Sequence, residues 1–182
     1  MFKKSRIKFS IAGERDFKLE EDVVYTGKTD TFTVPAGFVT DFASVPPAIS
    51  WLIPSYGKYT LAAVVHDWLC VDLRRYYDQR KAGGDWFNYT APYANARDTD
   101  AIFRRIMREL DVPFLRRWIM WTGVRWGAAN NPARRAGLEK DLPLMLLWSM
   151  LSAPLVVPAT IIVWIGLFID RVFENIVGGY LR

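Results

Sequence analysis

The chain has 182 residues, with 24 lysines and arginines against 19 aspartates and glutamates, and a net charge of +5. This length suits one well-packed domain with an appendage rather than two full domains. A single cysteine, Cys70, excludes an intramolecular disulfide and a cluster of zinc-binding thiolates. The basic charge favours acidic partners such as anionic lipid headgroups or nucleic acid.

The first third of the chain predicts short strands. Its basic N-terminus is followed by alternating residues rather than by an apolar run, so no signal peptide is expected. Residues 6–11 alternate with period two, and residues 17–25 and 30–34 are short apolar or β-branched runs between turn signals. Together they predict one small antiparallel sheet. Residues 38–47 then leave this sheet, because paired prolines cannot continue a ladder.

Helices are predicted after this sheet, over residues 58–74, 95–111 and 114–126. In the first helix His66, the only histidine of the chain, lies on one apolar stripe, so its ring is expected to be buried. The other members of that stripe are Tyr59, Ala62, Ala63, Leu69, Cys70 and Leu73. The first two helices are joined by residues 78–93, a loop that is long enough to act as a lid.

Asp100 is the inward-facing charge of the second helix. It falls four residues after Ala96 and three before Phe103, within the apolar stripe. A buried imidazole needs partners for its ring nitrogens, so we expect His66 and Asp100 to form a pair. Such a pair leaves one ring nitrogen free as a general base for a hydroxyl or water. The alternative is a buried pair that only ties two helices together.

The third helix mixes arginine with tryptophan in a pattern typical of a helix at lipid-headgroup level. The residues that carry this prediction are Arg117, Trp118, Trp121 and Arg125. A nucleic-acid surface is the second interpretation of these arginines and of their neighbours Arg104, Arg105, Arg108 and Arg116. The apolar run that follows favours lipid.

The C-terminal part contains no charged residue across positions 142–169, more than the roughly 20 residues that span a bilayer. Pro154 and Pro158 are expected to interrupt a helix there, which leaves residues 144–153 and 159–169 as two shorter apolar segments. A kinked single span and a re-entrant hairpin are both open at this point. A helical hairpin buried against a partner protein is a third alternative.

Two strings of residues resemble a known family. They are Val-Pro-Ala-Gly-Phe-Val-Thr-Asp-Phe-Ala-Ser-Val-Pro at residues 34–46 and Ala-Ala-Val-Val-His-Asp-Trp-Leu at residues 62–69. Over residues 5–111 the chain resembles the phage-associated domain of unknown function number 1353. The resemblance implies an origin in phage or prophage genomes. With the apolar C-terminal run, this origin leads us to expect a location in the virion or at the host inner membrane, with other virion proteins as partners.

The first of these strings contains two further candidate site residues, Asp41 and Ser44. Either side chain could cap a helical turn at the prolines, or serve as a ligand or nucleophile. If Asp41, Asp67 and Asp100 converge around His66, their carboxylates could hold a hard, calcium-like divalent metal.

The His-Asp dipeptide at residues 66–67 is also similar to the helix of calcium-dependent secreted phospholipases. This similarity implies that His66 is the general base, Asp67 a calcium ligand and Asp100 the orienting carboxylate. Without calcium, Lys58 or backbone amides would have to stabilise an oxyanion.

The sequence therefore predicts an α+β fold, in which a small N-terminal antiparallel sheet is packed by helices and followed by an apolar helical hairpin or kinked membrane helix. Its parts are a core domain over residues 1–112, a basic and aromatic amphipathic helix with a linker over residues 113–141, and a membrane-associating apolar tail over residues 142–182. The functional hypothesis is a membrane-associated phage protein with a His/Asp hydrolase site. The alternative is a non-enzymatic structural or genome-ejection protein of the virion.

Overall fold

A computed structural model describes residues 1–2, 7–28, 30–42, 45, 49–54, 56–83 and 92–180 of the chain. In these residues, five short strands form two antiparallel sheets rather than the single sheet that was predicted. The strands are β1 (Phe9–Ile11), β2 (Phe17–Leu19), β3 (Val23–Thr26), β4 (Thr31–Val34) and β5 (Val39–Thr40). One sheet has the order β1-β2-β5 and the other is the hairpin β3-β4.

Two predictions about the strands are corrected. The run 17–25 is two strands in different sheets, because the acidic residues 20 and 21 form a bend between them. Val39 and Thr40, which were expected to leave the sheet, pair with β2 instead. The prolines that stop a ladder come only at residues 46 and 47, so they do not prevent this short pairing.

Three helices pack beside the strands: α1 (Thr60–Lys81), α2 (Ala96–Glu109) and α3 (Phe114–Ala129). Helix α1 continues seven residues beyond the predicted end at residue 74, so the predicted loop over 78–93 begins later. Residues 84–91, the centre of the proposed lid, lie outside the described residues. Helix α2 packs against both α1 and α3, which places its inward face at the centre of the molecule.

The C-terminal helix α4 (Leu138–Tyr180) is continuous through Pro154 and Pro158. The predicted interruption is therefore wrong, and of the two membrane topologies left open the re-entrant hairpin does not form. A proline removes one backbone hydrogen bond from a helix and bends it. The helical hydrogen bonds continue on both sides of each proline, so the segment is one helix.

The core lies between the strands and the helices α1 and α2. Its fully buried apolar side chains include Tyr25, Val34, Val65, Ile106 and Met107. Helix α4 packs along α3, and Met145 near its start is completely buried. The α+β fold is thus confirmed, with a long apolar helix extending from it.

Candidate functional site

The pairing of His66 with Asp100 is confirmed. His66 on α1 is 6% exposed, and its ring packs against Phe103 of α2 with the centroids 4.7 Å apart. Its Nε2 lies 2.7 Å from Oδ1 of Asp100, which is completely buried. Because a carboxylate accepts this bond, Nε2 carries the proton and donates it.

Two arginines that helical periodicity does not connect with this pair also bind Asp100. Arg134, from the loop between α3 and α4, donates from Nη2 to Oδ1 at 2.6 Å. Arg125 of α3 donates from Nη1 to Oδ2 at 3.0 Å. Nη2 of Arg134 also lies 3.3 Å from Nε2 of His66. Since both groups are donors to one oxygen, this is a close approach and not a hydrogen bond.

The contacts continue from Asp100 to the first turn of α4. Nη2 of Arg125 lies 3.1 Å from Oδ2 of Asp141, and Nε of Arg97 donates to Oδ1 of Asp141 at 2.8 Å. Asp141 is 6% exposed and Arg125 is completely buried. We call the connected groups the buried charge network; its members are His66, Arg97, Asp100, Arg125, Arg134 and Asp141. It joins all four described helices.

The two central groups of the network favour their charged forms. Burial acts to raise the pKa of Asp100, but the hydrogen bond from His66 and the charges of His66 and Arg134 lower it to about 2. Burial acts to lower the pKa of His66, but Cys70 and Asp100 raise it to about 10. The ring is therefore protonated near neutral pH, which makes it a poor base there.

This charge predicts a pH dependence of stability. The pKa of His66 is raised above its ordinary value of 6.5, so its contribution is fully present below pH 6.5 and is lost as pH rises through about 10. Replacing His66 with Gln should therefore lower the free energy of unfolding most at pH 6 and least at pH 10. Denaturant titrations of both proteins at pH 6, 8 and 10 measure the difference. A difference that stays constant over this range contradicts a charged ring.

The other ring nitrogen of His66, Nδ1, lies near two side chains of its own helix. Nδ1 lies 4.0 Å from Oδ1 of Asp67 and 3.9 Å from Sγ of Cys70. Oδ2 of Asp67 accepts a hydrogen bond from the Thr40 hydroxyl at 2.5 Å, and this hydroxyl accepts from the amide of Phe42 at 3.0 Å. The two strings that carry the family resemblance therefore meet at one place.

A strained backbone residue and a carboxyl group with a raised pKa lie where the two strings meet. Phe42 is buried with φ at 62°, a left-handed conformation that side chains other than glycine rarely adopt. Burial raises the pKa of Asp67 to about 6, against the lowering effects of His66 and Thr40. The side chain of Asp67 remains 29% exposed, so it is the part of the site that solvent reaches. Such features occur at functional sites, although structural ion pairs produce them as well.

The described residues do not assemble the expected metal site. Asp41 lies close enough to Asp67 for its charge to raise the pKa of Asp67. No group of three or more histidine, cysteine, aspartate or glutamate side chains among the described residues could hold a metal ion. The third expected ligand, Asp100, has both oxygens bound to cationic partners instead. The donor set therefore does not fit a calcium-like ion, and Ser44 lies outside the described residues.

Several predicted binding residues lie elsewhere. Lys58 is exposed before α1 and lines a groove with Gly57 and Asp111; neither His66 nor Asp100 lines that groove. Trp121 and Arg125 were expected at headgroup level, but both are buried. Trp121 faces the interior, and Arg125 is neutralised by the two carboxylates of the network, so neither can contact lipid.

Comparisons with known proteins give one match. A family model with the description "Protein of unknown function (DUF1353)" matches residues 17–124, more than half of the chain. The match reaches into α3, beyond the resemblance seen over residues 5–111. No curated protein and no solved structure matches, so the similarity to secreted phospholipases has no support from these comparisons. The chain belongs to the DUF1353 family of proteins of unknown function.

Proposed function

We propose that the chain is a membrane protein in which α4 crosses the bilayer once and anchors the α+β domain at the membrane surface. The observation that carries this proposal is the exposure of α4. The most apolar 18-residue window of its segment Leu138–Val177 has a mean hydropathy of 2.1, and only 6% of that window is buried. Residues 148–169 alone extend about 33 Å at 1.5 Å per residue, against about 30 Å of hydrocarbon.

In this proposal the buried charge network is the joint between anchor and domain. Asp141 lies one residue before the uncharged run and is bound by Arg97 of α2 and Arg125 of α3. Because Arg125 is completely buried in the folded domain, the start of α4 cannot pivot freely. His66 and Asp100 then serve as a structural pair that holds the same joint from α1.

The experiment for this proposal is an extraction of membranes from cells that express the full chain. An integral protein stays in the pellet after washing with alkaline carbonate, whereas a peripheral protein is released. We expect retention, together with flotation of the purified chain with vesicles in a density gradient. Release by carbonate contradicts the anchor.

The phage association implied by the family resemblance indicates where this anchored protein would act. We propose that it acts at the host inner membrane or in the virion, where other virion proteins would contact the domain. A non-enzymatic structural or genome-ejection role requires only that the buried charge network holds α4 to the domain.

A second candidate function is hydrolysis at the membrane surface. It is favoured by the meeting of Thr40, Asp67 and His66, in which Nε2 is held by Asp100 and Nδ1 has no closer polar contact in the described residues than 3.9 Å. Nδ1 would take a proton from water once the ring is neutral. The raised pKa of His66 implies that such a reaction accelerates as pH increases.

The two candidates differ in the effect of His66→Gln on phospholipid and peptidoglycan hydrolysis. If the site is catalytic, the full chain hydrolyses one substrate, more rapidly toward pH 10, and the variant loses this activity while remaining folded. If the site is structural, the wild-type chain hydrolyses neither substrate and the variant only melts at a lower temperature. Assays with calcium and with a chelator test metal dependence at the same time.

A further inference from the structure

Three arginines at the junction of α2 and α3 carry charge that no ion pair neutralises in the described part of the chain. Arg104 and Arg108 are one turn apart on α2 and share a helix face, and Arg117 lies on the adjoining α3. Burial, followed by the charges of Arg108 and Arg117, lowers the pKa of Arg104. Nε of Arg104 is also buried without a hydrogen-bond partner among the described residues. We call these three residues the arginine cluster.

The carboxylate whose charge acts on Arg104 is already paired with other arginines. Asp141 acts to raise the pKa of Arg104, but its two oxygens are bound by Arg97 and Arg125 of the buried charge network. Like charges held together repel each other, and an external anion would remove this repulsion. Guanidinium groups are suited to phosphate, because they present several donors in one plane.

An aromatic stack connects the arginine cluster to α4. The guanidinium of Arg104 lies 4.2 Å from the ring centroid of Trp118, and Trp118 stacks on Trp148 of α4 with the centroids 4.8 Å apart. Phe114 meets Trp148 edge to face with the centroids 5.5 Å apart, and Arg117 lies 5.8 Å from the Phe114 ring. Two of the three arginines therefore rest against rings that touch the apolar helix.

The position of Trp148 along α4 sets the depth of the cluster, if α4 crosses the membrane as proposed above. The uncharged segment from Trp148 to Ile169 matches the thickness of the hydrocarbon layer. Tryptophan concentrates at the boundary between hydrocarbon and headgroups. The guanidinium groups beside Trp118 and Phe114 are then at the depth of lipid phosphates.

We propose that Arg104, Arg108 and Arg117 bind the phosphate of an anionic phospholipid headgroup at the base of α4. This inference rests on the proposed membrane anchor. Nucleic acid is the poorer occupant, because base binding needs open aromatic faces. Trp118 is already covered by Arg104 and stacked on Trp148.

The test uses the full chain in nanodiscs or detergent, with bound lipid measured by native mass spectrometry. Arg108→Gln with Arg117→Gln removes two charges and keeps Arg104, whose contact with Trp118 supports the packing of α2 on α3. The matched control is Arg15→Gln with Lys28→Gln, which removes two charges from exposed turns. We expect the wild-type chain and the control to retain phosphatidylglycerol in preference to phosphatidylcholine. The cluster variant should bind phosphatidylglycerol about 25-fold more weakly, since each basic residue near an anionic surface contributes about fivefold.

Further measurements distinguish an anionic lipid from free phosphate and from nucleic acid as the ligand of the cluster. Millimolar inorganic phosphate that displaces the lipid completely shows a site for the free anion and overturns the lipid assignment. A variant that loses binding of a single-stranded oligonucleotide but keeps its lipid preference overturns it as well. A wild-type chain that inserts into vesicles without preferring the anionic lipid overturns the cluster site alone. A chain that does not insert at all overturns the anchor, and the cluster site with it.

Discussion

Replacing Asp100 with alanine is expected to destabilise the domain by about 3–5 kcal/mol, because the change leaves buried positive charges without their carboxylate. Arg125, with no exposed surface, and Arg134, with a side chain 14% exposed, would both lose a partner, as would His66. At this size we expect the melting temperature of the full chain in detergent to fall by about 10 °C or more. Thermal unfolding followed by intrinsic fluorescence, together with denaturant titration, measures both quantities.

Asp78→Ala is the matched control for this change. It breaks an ion pair with Arg74 on the same domain, but both side chains are more than half exposed. An exposed pair one helical turn apart contributes about 0.3–0.5 kcal/mol, so the control should melt close to the wild type. If Asp100→Ala and Asp78→Ala have equal small effects, the buried charge network does not hold the domain together.

The centre of this network could be predicted because it depends on local periodicity. His66 and Asp100 each interrupt an apolar stripe, and two inward polar groups on neighbouring helices need each other. The same reasoning applies to Arg125, which is spaced four residues after Trp121 and three before Ala128, all of them buried. The prediction that Arg125 lies at the surface was wrong, because it rested on the arginine and tryptophan content of the helix and not on the spacing of its residues.

Other members of the network give no comparable sequence signal. Arg134 lies in a loop, where no periodicity indicates the direction of a side chain. Asp141 directly precedes the uncharged run, a position that predicts an exposed side chain. It is buried instead, and it contacts Arg97 and Arg125, which are distant from it in sequence. Pairing across such distances is decided by the packing of α2, α3 and α4 together.

The α+β class and the apolar C-terminal part also followed from the sequence, whereas the division into two sheets did not. A run of apolar and β-branched residues predicts a strand but not which strand pairs with it, and the bend at residues 20–21 decides the pairing here. The continuous helix through Pro154 and Pro158 is a second feature that the sequence did not predict. Local propensity predicts a break, but each proline removes only one backbone hydrogen bond and the helix continues through both.

Replacing both Val157 and Ile161 with lysine is expected to move the full chain out of the membrane fraction. These residues are exposed, lie one turn apart, and are near the middle of the uncharged run of α4. A lysine at the centre of a membrane helix disfavours insertion by about 2.5–3.5 kcal/mol, so two of them oppose most of what the apolar residues contribute. Alkaline extraction of membranes and vesicle flotation measure the retained fraction.

The control for this prediction uses the same helix and the same chemistry. Val172 and Ile176 are exposed apolar residues, also one turn apart, but they lie beyond Asp170, where the uncharged run has ended. Lysines there reach the interface and should leave the chain in the membrane fraction. If both double variants are released equally, α4 associates with membranes along its surface; if neither is released, the central turns of α4 are not surrounded by lipid. Loss of the central variant alone therefore distinguishes a spanning helix from both alternatives.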